Sequence, residues 1–191
     1  MDSDRVKWNS RFAAEDSFLG RGASPFLARE IGRIKQLVGG RLALDIACGE
    51  GRNSIFLAAN GFRVTAIDIS EVGLAKGARR AEEEGVAVEF IRADLDDYRP
   101  SGSFDLVLNF NFLLRSLIPV EVGLLTPGGL LLFDTILATP HCPASQNPAF
   151  YLQPGELVRL FSGYDGEILC HEESQEGAVP TARLMFRKAG G

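Results

Sequence analysis

The first half of the chain alternates runs of mostly apolar residues with polar, periodic segments closed by glycine. Residues 42–47, 63–68, 88–93 and 104–110 are the apolar runs, and their near-continuous hydrophobicity predicts parallel strands covered on both faces. Between them, residues 53–60 and 71–84 carry helical spacing and stop at Gly61 and Gly85, because glycine takes the left-handed angles of a helix end freely. Gly73 and Gly77 fall inside the second helix and weaken its middle relative to alanine. Ahead of the first strand, Ser24-Pro25 supplies a hydroxyl cap with proline in the first turn, and Gly39-Gly40 a stop. Phe26, Ile31, Ile34, Leu37 and Val38 form the apolar stripe between them.

Beyond residue 110 the signals shorten. Residues 111–125 read as a short helix interrupted around Pro119, 128–137 as a fifth strand, 154–162 as a last helix, and 167–172 and 183–187 as two strands that pair antiparallel at one edge. The pattern predicts an α/β fold: a seven-stranded, mostly parallel sheet with helices on both faces and an antiparallel edge strand. Residues 1–191 are expected to form a single domain. Residues 1–23 are polar with isolated aromatics and read as an arm packed across the α/β core of 24–191, rather than as a core helix or strand. The stretch 138–154 is too long and proline-rich for a simple connection, so it is expected to lie on the substrate side.

The candidate chemistry begins where the first strand runs into Asp45-Ile46-Ala47-Cys48-Gly49-Glu50-Gly51. Gly49 and Gly51 open angles closed to other residues and leave no Cβ between loop and ligand, as a nucleotide cradle requires. Nineteen positions beyond Gly49, the second strand ends at Asp68, where an acid can accept hydrogen bonds from both ribose hydroxyls of a nucleoside. Charge selects the nucleoside. Asp45 and Glu50 flank the place where a dinucleotide would put its pyrophosphate, whereas a sulfonium that also carries an ammonium group gains from the same acids. S-adenosylmethionine therefore fits better than NAD.

With these residues in view, the chain resembles the class I S-adenosylmethionine-dependent methyltransferases over most of its length. Asp45-x-x-Cys48-Gly49-x-Gly51 is similar to that family's first motif, Asp68 to its ribose-binding acid, and Ala93-Asp94-Leu95 to the site where an acid meets the adenine amino group. Phe104 to Asn109 resembles its fourth strand and Leu125-Thr126-Pro127-Gly128-Gly129-Leu130 the turn into its fifth. Gly51-Arg52-Asn53 and Trp8-Asn9-x-Arg11-Phe12 resemble the small TehB-like, tellurite-resistance branch. The resemblance implies a Rossmann-like sheet and S-adenosyl-L-methionine as cofactor. It also implies a cofactor site drawn from Asp45, Cys48, Gly49, Gly51, Asn53, Asp68, Ile69, Asp94, Leu95 and Asn109.

Composition narrows the partners. A net charge of −5 without a basic stripe argues against nucleic acid and anionic lipid. No apolar run nears the ~20 residues of a membrane helix. Cys48, Cys142 and Cys170 lack disulfide-framework or zinc spacing, so no metal site is indicated and a cytoplasmic setting is expected, as monomer or homodimer. Asn109-Phe110-Asn111-Phe112 lacks the two prolines of an adenine-amino methyltransferase signature, which favours a small-molecule acceptor over a nucleobase. His141 is the candidate catalytic base, with Asp134 and His171 behind it. Arg52 and Arg115 could grip an anionic substrate, and Trp8 and Tyr151 could line its pocket. Trp8 and Phe12, with Phe150 and Tyr151 of the long loop, are expected to form a lid that orders over the ligand. A nucleotide-dependent oxidoreductase and a non-catalytic cofactor-binding module are the competing readings.

Overall fold

The computed structural model describes residues 2–138, 147–174 and 179–190. The helices are α1 (Asp2–Ala14), α2 (Pro25–Leu37), α3 (Arg52–Ala59), α4 (Glu71–Glu83), α5 (Ile118–Gly123) and α6 (Glu156–Phe161). The strands are β1 (Leu42–Ile46), β2 (Arg63–Asp68), β3 (Val88–Arg92), β4 (Phe104–Phe110), β5 (Leu125–Ile136), β6 (Gly166–Ser174) and β7 (Thr181–Lys188). They form one sheet in the order β3-β2-β1-β4-β5-β7-β6. The first five strands pair in parallel, and β7 runs antiparallel between β5 and β6.

Strand alternation sends successive side chains to opposite faces, and each face carries its own core. Leu44, Ile46, Val107, Leu131 and Phe133 meet Leu117, Ile118, Leu157 and Phe161 on one side. Ala43, Leu106, Leu108, Leu130 and Leu132 meet Phe26, Leu27, Ile34 and Leu57 on the other. Fully burying a side chain of this size contributes roughly 1.5–3 kcal/mol, so the two clusters fix both helical layers to the sheet.

Several expectations change in detail. Residues 1–23 are not an irregular arm: α1 occupies most of them. Pro119 does not interrupt a helix but stands in the first turn of α5, after a 3-10 turn at Arg115–Leu117, where its missing N–H costs nothing. β5 starts at Leu125 rather than at residue 128, because Leu125 already pairs with Phe104 and the Pro127-Gly128 step is absorbed as an irregularity within the strand. Ser24 begins α2 as expected, but its hydroxyl makes no cap bond.

Candidate functional site

Strand order reverses between β1 and β4, and in open α/β sheets ligands bind beyond the carboxyl ends of the strands at such a point. The loop from β1 to α3 occupies it. Ala47, Gly49 and Gly51 all have positive φ, at 53°, 58° and 69°. The chain coils back so that the Cys48 N–H donates to Ile67 O (3.0 Å) and the Gly51 N–H to Cys48 O (2.9 Å). Asp68, ending β2, holds the coil. Its Oδ2 accepts from the Gly49 N–H at 2.8 Å and its Oδ1 from the Ser70 N–H at 2.8 Å. Asp45 points from β1 to α3 and accepts from Ser54 Oγ at 2.5 Å.

The loop glycines turn out to serve packing. A Cβ on Gly51 would lie 2.8 Å from Phe90 Cε1, and one on Gly49 would lie 3.1 Å from Phe12 Cζ. The two helix glycines complete the arrangement. A Cβ on Gly73 would stand 3.0 Å from Gly49 O, and one on Gly77 3.0 Å from Glu50 O. One turn apart on α4, they form a flat track on which the loop backbone lies, so the weak-looking middle of this helix is the seat of the loop. A substituent on Gly49 meets α1 first, which corrects the expectation that this Cα is bare toward a ligand.

The cover comes from α1 and the segment after it. Phe12 is buried, stacked on Trp8 with ring centroids 5.7 Å apart and meeting Phe18 edge-on. Asn9 Oδ1 accepts from Ser70 Oγ at 2.6 Å, tying α1 to the start of α4, and Arg5 pairs with Glu71 at 2.8 Å. Lys76 of α4 caps the carboxyl end of α1 through the Phe12 and Glu15 carbonyls, a favourable place for a cation. Lys7 lies 5.7 Å from the Trp8 ring and 5.9 Å from that of Phe150. It thus brings the segment 148–150 to the outer side of α1. Trp8 and Phe12 belong to a docked helix rather than to an irregular flap.

Burial dominates the electrostatics. Asp45 is pushed up to about 7, by burial first, opposed by the Ser54 hydrogen bond and raised further by Asp68. Asp68 is also raised by burial, against the N–H groups of Ser70 and Gly49. Burial beside these two acids drives the Cys48 thiol well above its usual range, so it is a packing group and not a nucleophile. Arg52, the first residue of α3, donates to Leu19 O at 2.8 Å and feels both Asp45 and Asp134. Asp134 accepts from Arg183 Nε at 3.2 Å. Glu50 does not add free negative charge: it pairs with Lys76 at 3.2 Å and accepts the Phe18 N–H at 2.9 Å.

Other expected site residues have structural partners. Asn53 is buried and its Oδ1 accepts the Ser24 N–H at 2.9 Å, fixing the entry of α2. Arg115 is not poised for a substrate. Its guanidinium reaches Glu156 Oε1 (2.6 Å) and Oε2 (3.1 Å), Ala149 O (2.7 Å) and Tyr151 O (2.9 Å), strapping residues 149–156 to the body. Tyr151 is accordingly buried. Ile69 and Asp94 are half-buried just past β2 and β3, and Leu95 is in the core. Asn109 is fully buried and donates to Glu121 Oε1 at 2.7 Å. His141 lies outside the described residues, as does 139–146 of the long loop. Sequence reasoning missed Ser54 and Glu121. Ser54 stood in the Gly-x-Gly-x-x-Ser spacing, whereas Glu121 had no local signal.

The strand order, the glycine loop at the reversal and the acids ending β1 and β2 define a class I methyltransferase fold. The methyltransferase domain family matches residues 43–123, the stretch from β1 through α5. A relative from Geobacillus sp. (strain WCH70), named as a methyltransferase, is 37% identical over 135 residues, covering 66% of this chain and 55% of the relative. The chain spans about half the length of the curated relatives it matches. Magnesium protoporphyrin IX methyltransferase from Synechocystis PCC 6803, solved with SAH, superposes with a TM-score of 0.75 at 18% identity, covering 98% of this chain and 99% of that one. TehB from Haemophilus influenzae superposes at 0.71 with 22% identity over 84% of this chain and 62% of its own.

Proposed function

We propose that this protein transfers a methyl group from S-adenosylmethionine to a small-molecule acceptor, an oxygen, sulfur or other soft nucleophile, by in-line displacement. The observation that carries the reading is the pair of buried acids, Asp45 and Asp68, at adjacent strand ends beside the glycine loop, both raised by burial. Such a pair favours a ligand bearing positive charge and disfavours a pyrophosphate. The cofactor would supply the activated methyl group. Asp68, with lone pairs left after its two N–H bonds, would hold the ribose hydroxyls; Asp94 and Leu95, with Ile69, would border the adenine. Asp45, Cys48 and Asn109 would shape the end that takes the methionine. Arg52 and Trp8, on the side of α1 and Asp134, would face the acceptor, and His141 is retained as a candidate base.

Displacement needs alignment and exclusion of water more than acid–base chemistry. The docked α1 and the strapped segment 149–156 supply that cover. Relatives that act on small molecules support the acceptor class: the porphyrin methyltransferase is one by its name. The proposed enzyme is cytoplasmic and works as monomer or homodimer; separately, no helix among the described residues is long and apolar enough to cross a membrane. Calorimetry with S-adenosylmethionine against NAD tests the cofactor. Release of S-adenosylhomocysteine with a panel of phenols and thiols tests turnover, and tight binding without any release would instead indicate a binding module.

A further inference from the structure

The end of β4 carries a buried pair that the cofactor site does not by itself require. Asn109 and Glu121 of α5 are both fully buried, and Asn109 Nδ2 donates to Glu121 Oε1 at 2.7 Å. Each side chain keeps one further buried oxygen, Asn109 Oδ1 and Glu121 Oε2, without a hydrogen-bond partner among the described residues. An ionised Glu121 would leave two acceptors together in an apolar place, a costly arrangement. Their own elements contribute Val107 from β4 and Ile118 and Val122 from α5 to the apolar cluster on one face of the sheet, and the titratable group that feels Glu121 is the neutral phenol of Tyr164. A carboxamide and a carboxylic acid are both flat forks. Once one pair of tips is joined, a single proton on Glu121 Oε2 satisfies both remaining oxygens.

We infer that Asn109 and Glu121 form a neutral ring closed by two hydrogen bonds, with Glu121 Oε2–H donating to Asn109 Oδ1, and that this ring positions the end of β4 for the amino-acid end of the cofactor. Burial, opposed by the Asn109 hydrogen bond, holds the Glu121 carboxyl up at about 8, so it keeps its proton at neutral pH. The location gives the ring leverage. Asn109 pairs with Ile46 on one side and Phe133 on the other, at the reversal of strand order. Two residues on, Asn111 turns to φ 56° and its N–H is held by Asp134 O at 2.7 Å. A tilt of the Asn109 side chain is passed directly to this exit. Glu121 is thus a positioning residue, and the functional half of the inference rests on the S-adenosylmethionine reading above.

Two measurements separate the ring from that reading. The first is urea unfolding of the wild type and Glu121→Gln between pH 5 and 9. Glu121 loses its proton near 4.5 when unfolded but near 8 when folded, so the wild type is expected to lose stability relative to Glu121→Gln as pH rises through this window, with the gap constant beyond it. A pH-independent gap would overturn the neutral ring. The second is calorimetry with S-adenosylhomocysteine at pH 7. Glu121→Gln, whose amide repeats both hydrogen bonds, should bind within about twofold of the wild type, while Glu121→Leu, which fills the space and leaves Asn109 unpaired, should bind about tenfold or more weakly. Equal affinity in both variants, or equal loss in both, refutes positioning. Absence of binding to the wild type would refute the cofactor reading and leave the unfolding test of the ring intact.

Discussion

Replacing Asp68 with alanine separates what this acid does for the protein from what it does for the ligand. Its two oxygens accept the Gly49 and Ser70 N–H groups at 2.8 Å each. A hydrogen bond to a charged group contributes about 1.5–3 kcal/mol, and an orphaned buried donor costs about 1–3. Removing the carboxylate also removes a buried charge, which offsets part of the loss, and water can enter because Asp68 keeps 7% exposure. The expected net loss is about 2–3 kcal/mol, a fraction of the 5–15 kcal/mol typical of a domain, so the variant should remain folded. In the folded fraction, loss of the ribose acceptor should weaken S-adenosylmethionine by a further ~1.5–3 kcal/mol, or roughly 10- to 150-fold. Urea unfolding gives the first quantity and calorimetry well below the transition gives the second. Wild-type affinity in the folded variant would refute the ribose role; an unchanged urea midpoint would refute the loop-holding role.

Gly51→Ala forces a left-handed alanine, about 1–2 kcal/mol, against Phe90 at 2.8 Å, about 1–3 more; urea unfolding should show a loss of about 2–5 kcal/mol that falls to about 1–2 in a Phe90→Leu background, and the same loss in both backgrounds would show that the contact is irrelevant. Arg115→Ala should cost only about 1 kcal/mol, since the guanidinium is partly exposed, yet it should raise hydrogen exchange in 149–156 without changing cofactor affinity; weaker acceptor binding with unchanged exchange would restore the gripping role. Asp45 titrates near 3.8 unfolded and about 7 folded. A raised acid loses stability as pH rises between those values, so the urea midpoint of the wild type minus that of Asp45→Asn should fall from pH 4 to 7, and a rising difference would show that the carboxylate is compensated. Hydrogen exchange across α1 should be slow before cofactor is added, because Phe12 is buried and Lys76 caps the helix; fast exchange that slows on binding would reinstate a mobile lid.

The sheet was legible in the sequence because its information is local. Five parallel strands need five strand-forming runs, though β3, at the sheet edge, has no buried residue and is not covered on both faces as its run suggested. The chain must turn sharply between β1 and α3, and an acid at the end of β2 is a matter of spacing, so strand order in the chain, Gly49, Gly51 and Asp68 could all be named from residues alone. What only the tertiary structure decided is which partner each polar or small residue meets. Gly73 and Gly77 look like flaws in a helix until the backbone of Gly49 and Glu50 lies against them. Arg115 looks like a free cation until Glu156, 41 residues away, closes on it. The polar start of the chain becomes a helix because tertiary docking, not propensity, stabilises it: Trp8 and Phe12 find aromatic partners, and Asn9 and Lys76 bond across the interface with α4. Glu121 gives no signal at all, since a glutamate in a short helix reads as solvated until the fold buries it against Asn109. Hydrophobic period and glycine placement are written along the chain, whereas the state of a carboxyl group depends on a neighbour and a dielectric that exist only once the chain has closed.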